Sequence, residues 1–73
     1  MLTREESIEI ARQAIAGKVE LQEGAPIEVE FRGKHYIVTF VHYTPPHMLG
    51  PDYDAKVTID AESGAVIEIL GAP

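Results

Sequence analysis

Cysteine and tryptophan are both missing from this chain of 73 residues. Without cysteine there is no disulfide framework, no thiolate zinc site and no thiol nucleophile. Serine occurs only at Ser7 and Ser63. Ser7 is expected on the exposed side of a helix start and Ser63 in a turn, neither beside a histidine in sequence, so nucleophilic catalysis is not expected. Positive charge is also scarce: six Lys and Arg against twelve Asp and Glu leave a formal net charge of −6. Phosphate recognition relies on Lys and Arg displacing counterions. The basic residues here are dispersed, with only Arg32 and Lys34 close together in a charged turn, and a nucleic-acid partner is not expected. No apolar run approaches the roughly 20 residues of a membrane-spanning helix, so no membrane insertion is expected either. A phosphate-cradling Gly-rich loop is lacking as well.

What is present points to one small folded domain spanning residues 1–73. Hydrophobic residues make up 45% of the chain, too many for disorder. A chain this short buries only about 60% of its unfolded surface, so its stability rests on a well-packed core, a bound ligand or a partner chain. Thr3-Arg4-Glu5-Glu6 has the pattern of a capped helix start, with Thr3 and Glu6 satisfying each other's backbone amides. Ile8, Ala11 and Ile15 then recur at helical spacing, and Gly17 is a natural stop, which predicts a helix over about 4–16. Val19 and Leu21 follow, expected either as a short strand or packed under the helix.

From Pro26 the period changes to two. Ile27, Val29 and Phe31 alternate with Glu28, Glu30 and Arg32, predicting a half-buried strand over about 26–32. Gly33-Lys34 turns the chain into a second strand, about 35–43. Tyr36, Val38 and Phe40 mark one face of it, and Ile37, Thr39 and Val41 the other. Thr44–Asp52 holds three prolines and a glycine and reads as a loop. A third strand, about 53–60, points Tyr53, Ala55, Val57 and Ile59 inward and Asp54, Lys56, Thr58 and Asp60 outward. Asp60-Ala61-Glu62-Ser63-Gly64 is hairpin chemistry, Gly64 supplying the positive φ. A fourth strand, about 65–70, closes the sheet, and Gly71-Ala72-Pro73 is a tail. The fold class is therefore α+β: one N-terminal helix packed on a four-stranded antiparallel meander in two layers.

Three histidines lie within a short stretch, and imidazole is a common metal ligand. His35 and His42 are seven apart on a strand and point to opposite faces. Only His42 and His47 can converge, with Asp52 or Asp54 as a third donor, so a small ligand- or metal-binding module on His42, His47 and Asp54 is one reading. No calcium-loop spacing is present, and no cofactor is expected. The loop offers a second reading. His47, Met48 and Leu49 sit at its tip between prolines, either as a preorganised partner-binding surface or folded back over the core. A third reading concerns the outer sheet face. Ile37, Val41, Val66 and Leu70 are expected there together, as a partner or homodimer patch unless the sheet curls over them.

With the elements placed, the chain resembles the PepSY domain. The resemblance rests on the helix Thr3–Ala11, on Tyr36-Ile37-Val38, and above all on Val57–Val66, where Asp60, Ser63, Gly64 and Val66 match the family's closing hairpin. It implies a non-enzymatic bacterial α+β module, found beside peptidases and in envelope proteins, that inhibits peptidases or mediates protein contacts. The chain departs from that pattern in lacking export features and in its longer connections at Lys18–Pro26 and Thr44–Asp52. Its localisation is expected to be cytoplasmic if Met1 is native, and periplasmic or extracellular if an export signal was removed. A weaker resemblance is to small immunity-type proteins of cystatin-like or nuclear-transport-factor-like shape, through the order helix, Pro-led strand, aromatic strand, Pro/Gly loop and Asp-to-Gly hairpin.

Overall fold

The fold is described by a computed structural model over residues 1–71; Ala72 and Pro73, assigned to a tail, lie outside the described residues. One helix, α1 (Arg4–Ile15), precedes four strands, β1 (Ile27–Arg32), β2 (His35–Val41), β3 (Tyr53–Asp60) and β4 (Val66–Gly71). The strands pair antiparallel in chain order, β1-β2-β3-β4, and the helix lies against β2, β3 and β4. The α+β meander expected from the sequence is the fold observed.

The helix starts as its sequence dictates. Thr3 Oγ1 accepts from the Glu6 amide, and Glu6 Oε1 accepts from the Thr3 amide. Its buried stripe differs from the expectation. Ser7, Ala11 and Ile15 are the buried positions, and Ile8 is only half-buried. Ser7 is wholly buried, not exposed; its hydroxyl donates to the Arg4 carbonyl at 2.6 Å, which removes the cost of burying it. Ser7 and Ala11 are small, and small residues let the helix axis sit close to the sheet. Val19 and Leu21 form no strand and pack against the core from the connection that follows the helix.

The core is built from one face of the sheet. Val29, Val38, Val57 and Ile69 share a row across four strands, and Ile27, Phe40 and Ala55 share one across three. Val38, Ala55, Val57 and Ile59 are fully buried. Strand ends differ from the expected bounds for local reasons. Pro26 precedes β1, having no amide to donate, though its carbonyl accepts from Val41. β2 stops at Val41, because beyond it His42 and Tyr43 bond to Asp52 and to the Gln22 side chain. Ala65 belongs to the turn, its carbonyl accepting from the Asp60 amide, and β4 runs one residue further to Gly71.

Two irregularities overturn the simple alternation. The first lies between Phe40 and Val41, which pair with Ala55 and Tyr53 and leave Asp54 as the extra residue. Tyr53 was expected inward and Asp54 outward, and their places are exchanged. Lys56, an outer-face residue, holds its ammonium 4.9 Å from the Tyr53 ring, and Asp54 turns to the connection after the helix. The second bulge, between Thr58 and Ile59, pairs Val66 with buried Ile59. Val66 therefore joins the helix-side set and leaves the outer patch expected with Ile37, Val41 and Leu70.

The β3–β4 turn is held by its own carboxylate. Asp60 Oδ1 accepts from the amides of Glu62 and Ser63 at 2.8 and 3.0 Å, and Gly64 takes a φ of 78°. The Ser63 amide, then the Glu62 amide, hold the Asp60 carboxyl below the usual aspartate range. A depressed carboxylate contributes stability above its unfolded pKa, and this is lost as pH falls through the lower, folded value. In an NMR titration Asp60 should protonate at lower pH than the same aspartate in an unstructured peptide. A midpoint at or above the peptide's would contradict this turn. For the core, Ile59→Ala should cost about 2–5 kcal/mol in denaturant unfolding, whereas Leu49→Ala should cost under about 0.5 kcal/mol. Equal losses would contradict the burial described.

Candidate functional site

Two of the sequence-derived candidates, His42 and Asp54, meet at the end of the sheet where β2 leaves and β3 returns. Bulged out of β3, Asp54 is the pivot. Its Oδ1 lies 2.8 Å from His42 Nδ1, and its Oδ2 accepts from the Gln22 amide at 2.8 Å. The Asp54 side chain is only 11% exposed, so these two partners replace most of its water. Because a carboxylate only accepts, the Nδ1 proton of His42 faces Asp54.

Gln22 extends the network. Its side-chain amide takes both backbone groups of Tyr43, donating from Nε2 to the carbonyl and accepting at Oε1 from the N–H, at 3.1 and 2.6 Å. One side chain thus does for Tyr43 what a neighbouring strand would do, and it ties the connection after the helix to the base of the Pro-rich loop. Nothing in Leu21-Gln22-Glu23 marks Gln22 in the sequence, since its partners lie 21 and 32 positions away. An open cleft of about 350 Å³ lies beside this network, between Arg12, the 21–27 segment, Phe40 and Asp54. Both oxygens of Asp54 are engaged by the protein itself, so this carboxylate braces the fold.

The structure brings together only part of the candidate metal set. His42 and Asp54 bond to each other, while His47 sits on the exposed part of the loop. Among the described residues no three His, Asp or Glu side chains gather into a metal-binding group.

The loop itself is shaped from within. His42 N–H bonds to the Asp52 carbonyl at its base, Thr44 Oγ1 donates to the Pro51 carbonyl, and Met48 N–H closes a turn on the Pro45 carbonyl. Gly50 packs so closely on Thr44 that an added Cβ would lie 2.8 Å from its hydroxyl oxygen. Met48 and Leu49 do not fold back over the core; Met48 is 58% exposed and Leu49 fully so. Ile37 and Val41 are on the outer sheet face, each half-buried, along a broad shallow groove that also includes Glu28, Glu30, Tyr53 and Lys56. The loop tip and the outer face are therefore distinct surfaces.

Compared with known proteins, the chain matches no family model, no curated protein and no solved structure.

Asp54→Ala tests the brace. It leaves the Gln22 N–H and His42 Nδ1 without their acceptor, and should cost about 1–3 kcal/mol in denaturant unfolding. Hydrogen exchange at the His42 and Tyr43 amides should accelerate more than at the core strands. Unchanged stability together with unchanged exchange would show that the network carries no weight.

Proposed function

We propose that this chain is a small non-enzymatic protein-binding module of PepSY-like type, engaging its partner through the Thr44–Asp52 loop. The observation that supports this most is the loop tip, where Met48 and Leu49 are held in water on a segment whose shape is fixed by prolines and internal hydrogen bonds. Burying such a side chain against a partner is worth about 1.5–3 kcal/mol, and a preshaped loop loses little entropy on binding. Tyr43, also exposed, extends the apolar surface near the loop base. The Asp54–His42–Gln22 brace below keeps that base in place. His47 adds the one imidazole at the tip, and Ile37 and Val41 offer a second, more polar contact area on the outer sheet face. A regulatory role, including the peptidase inhibition that the resemblance implies, requires only such non-covalent contact.

A comparison of wild type with Met48→Ser plus Leu49→Ser checks this reading. Both residues are exposed, so unfolding stability should change by less than about 0.5 kcal/mol. Partners captured by wild type should bind the double variant at least about tenfold more weakly. Identical capture by both proteins would sink the loop as the contact surface.

A further inference from the structure

The two edges of the sheet are built differently. β1 alternates Ile27, Val29 and Phe31 with Glu28, Glu30 and Arg32, and charges of this kind discourage another strand from pairing. β4 reads Val66-Ile67-Glu68-Ile69-Leu70-Gly71, with a single charge, and its four large apolar residues are each between 40% and 51% exposed. A bulge at its start twists only the Val66–Ile67 end, leaving Glu68–Gly71 in regular register with β3. A largely apolar and regular edge with a single charge is a template for strand addition.

The hydrogen-bonding groups along that edge follow from the ladder. Asp60 N–H bonds to the Ala65 carbonyl on the β4 side, whereas Ala61 N–H bonds to the Lys34 carbonyl on the β2 side. Backbone groups alternate along a strand, so Thr58 and Lys56 also direct theirs to β4. Their partners Glu68 and Leu70 therefore spend their backbone groups on β3. Ile69 and Gly71 direct theirs to the open edge.

We propose that β4 pairs antiparallel with β4 of a second copy of this chain, extending two four-stranded sheets into one. A two-fold axis normal to the sheet keeps both helices on the same side, and charge selects the register. Centring on Glu68 would set two carboxylates opposite each other at the close spacing of about 4.5 Å. Centring on Ile69 joins the two Ile69 residues by reciprocal N–H to carbonyl bonds, places Glu68 opposite Leu70 of the other copy, and brings Gly71 opposite Ile67, where the regular ladder ends. The same reasoning disfavours an open fibre. Pairing β4 with β1 of another copy sets Glu68 opposite Glu28 or Glu30, unless Arg32 gives up its 2.9 Å ion pair with Glu30. A closed dimer is the arrangement these charges favour. The net charge of −6 on each copy opposes it, so apolar burial and edge hydrogen bonds supply the attraction.

Sedimentation of the whole chain over a concentration range should show a monomer–dimer equilibrium. Ile69→Lys, which puts an inward-pointing charge on the edge, should weaken the dimer by at least about tenfold. Met48→Ser plus Leu49→Ser should leave it unchanged, which separates this surface from the loop. Residue-resolved hydrogen exchange decides the matter even if Ile69→Lys does not fold. The Ile69 amide should exchange fast in dilute protein and slow as the dimer forms, while the Leu70 amide, bonded to β3, should stay protected throughout. A chain that stays monomeric to millimolar concentration, or an Ile69 amide whose exchange ignores concentration, would overturn the proposal.

Discussion

One twelve-residue helix has to cover a four-stranded sheet, and much of the structure follows from that shortage. Such a helix is about 18 Å long and about 10 Å across, while the outer strands lie about 14 Å apart. It cannot shield every strand. Lying against β2, β3 and β4, it helps bury Val38, Val57 and Ile59 completely, with the small side chains Ser7 and Ala11 on its inner stripe. Val19 and Leu21 pack against the core from the following connection. Every residue of β4 stays exposed, even though the helix reaches it.

The polar counterpart of this economy is the bulge at Asp54. An extra residue in β3 turns a carboxylate out of the expected outer row and toward the connection after the helix. There it accepts from Gln22 and pairs with His42. Gln22 in turn stands in for a strand beside Tyr43. A bulge normally weakens a ladder by leaving one residue unpaired. Here the displaced residue joins three segments remote in sequence, at the place where the chain leaves the sheet for its Pro-rich loop.

Two apolar surfaces result, with different origins. The loop tip is exposed because prolines and local hydrogen bonds hold Met48 and Leu49 away from the core, which is already filled by aliphatic side chains. The β4 edge is exposed because the helix is too narrow to reach past it and no fifth strand follows among the described residues. One surface suits a partner that supplies a pocket, the other a partner that supplies a strand. The acidic residues Glu28 and Glu30 guard the opposite edge and the outer face, so the negative charge restrains association as well as keeping the chain hydrated.

Much of the fold was legible in the sequence because local chemistry wrote it. Thr3 and Glu6 specify a helix start, strict alternation specifies Ile27–Arg32, β-branched and aromatic residues specify Tyr36–Phe40, and Asp60 to Gly64 specifies a hairpin whatever surrounds it. Each depends on residues only a few positions apart. The candidate site was only half legible. His42 and Asp54 were visible as a pair of polar side chains, but their partner Gln22 was not, and His47 stands apart from both. The exchanged faces of Tyr53 and Asp54, the burial of Ser7 and the transfer of Val66 to the helix side were equally hidden. The sequence by itself determined which segments are helix, strand and turn, since periodicity and capping act within a few residues. Tertiary structure alone decided which side chains face which way after each bulge and what remains exposed, since register and helix placement are settled between strands that meet only when the whole sheet assembles.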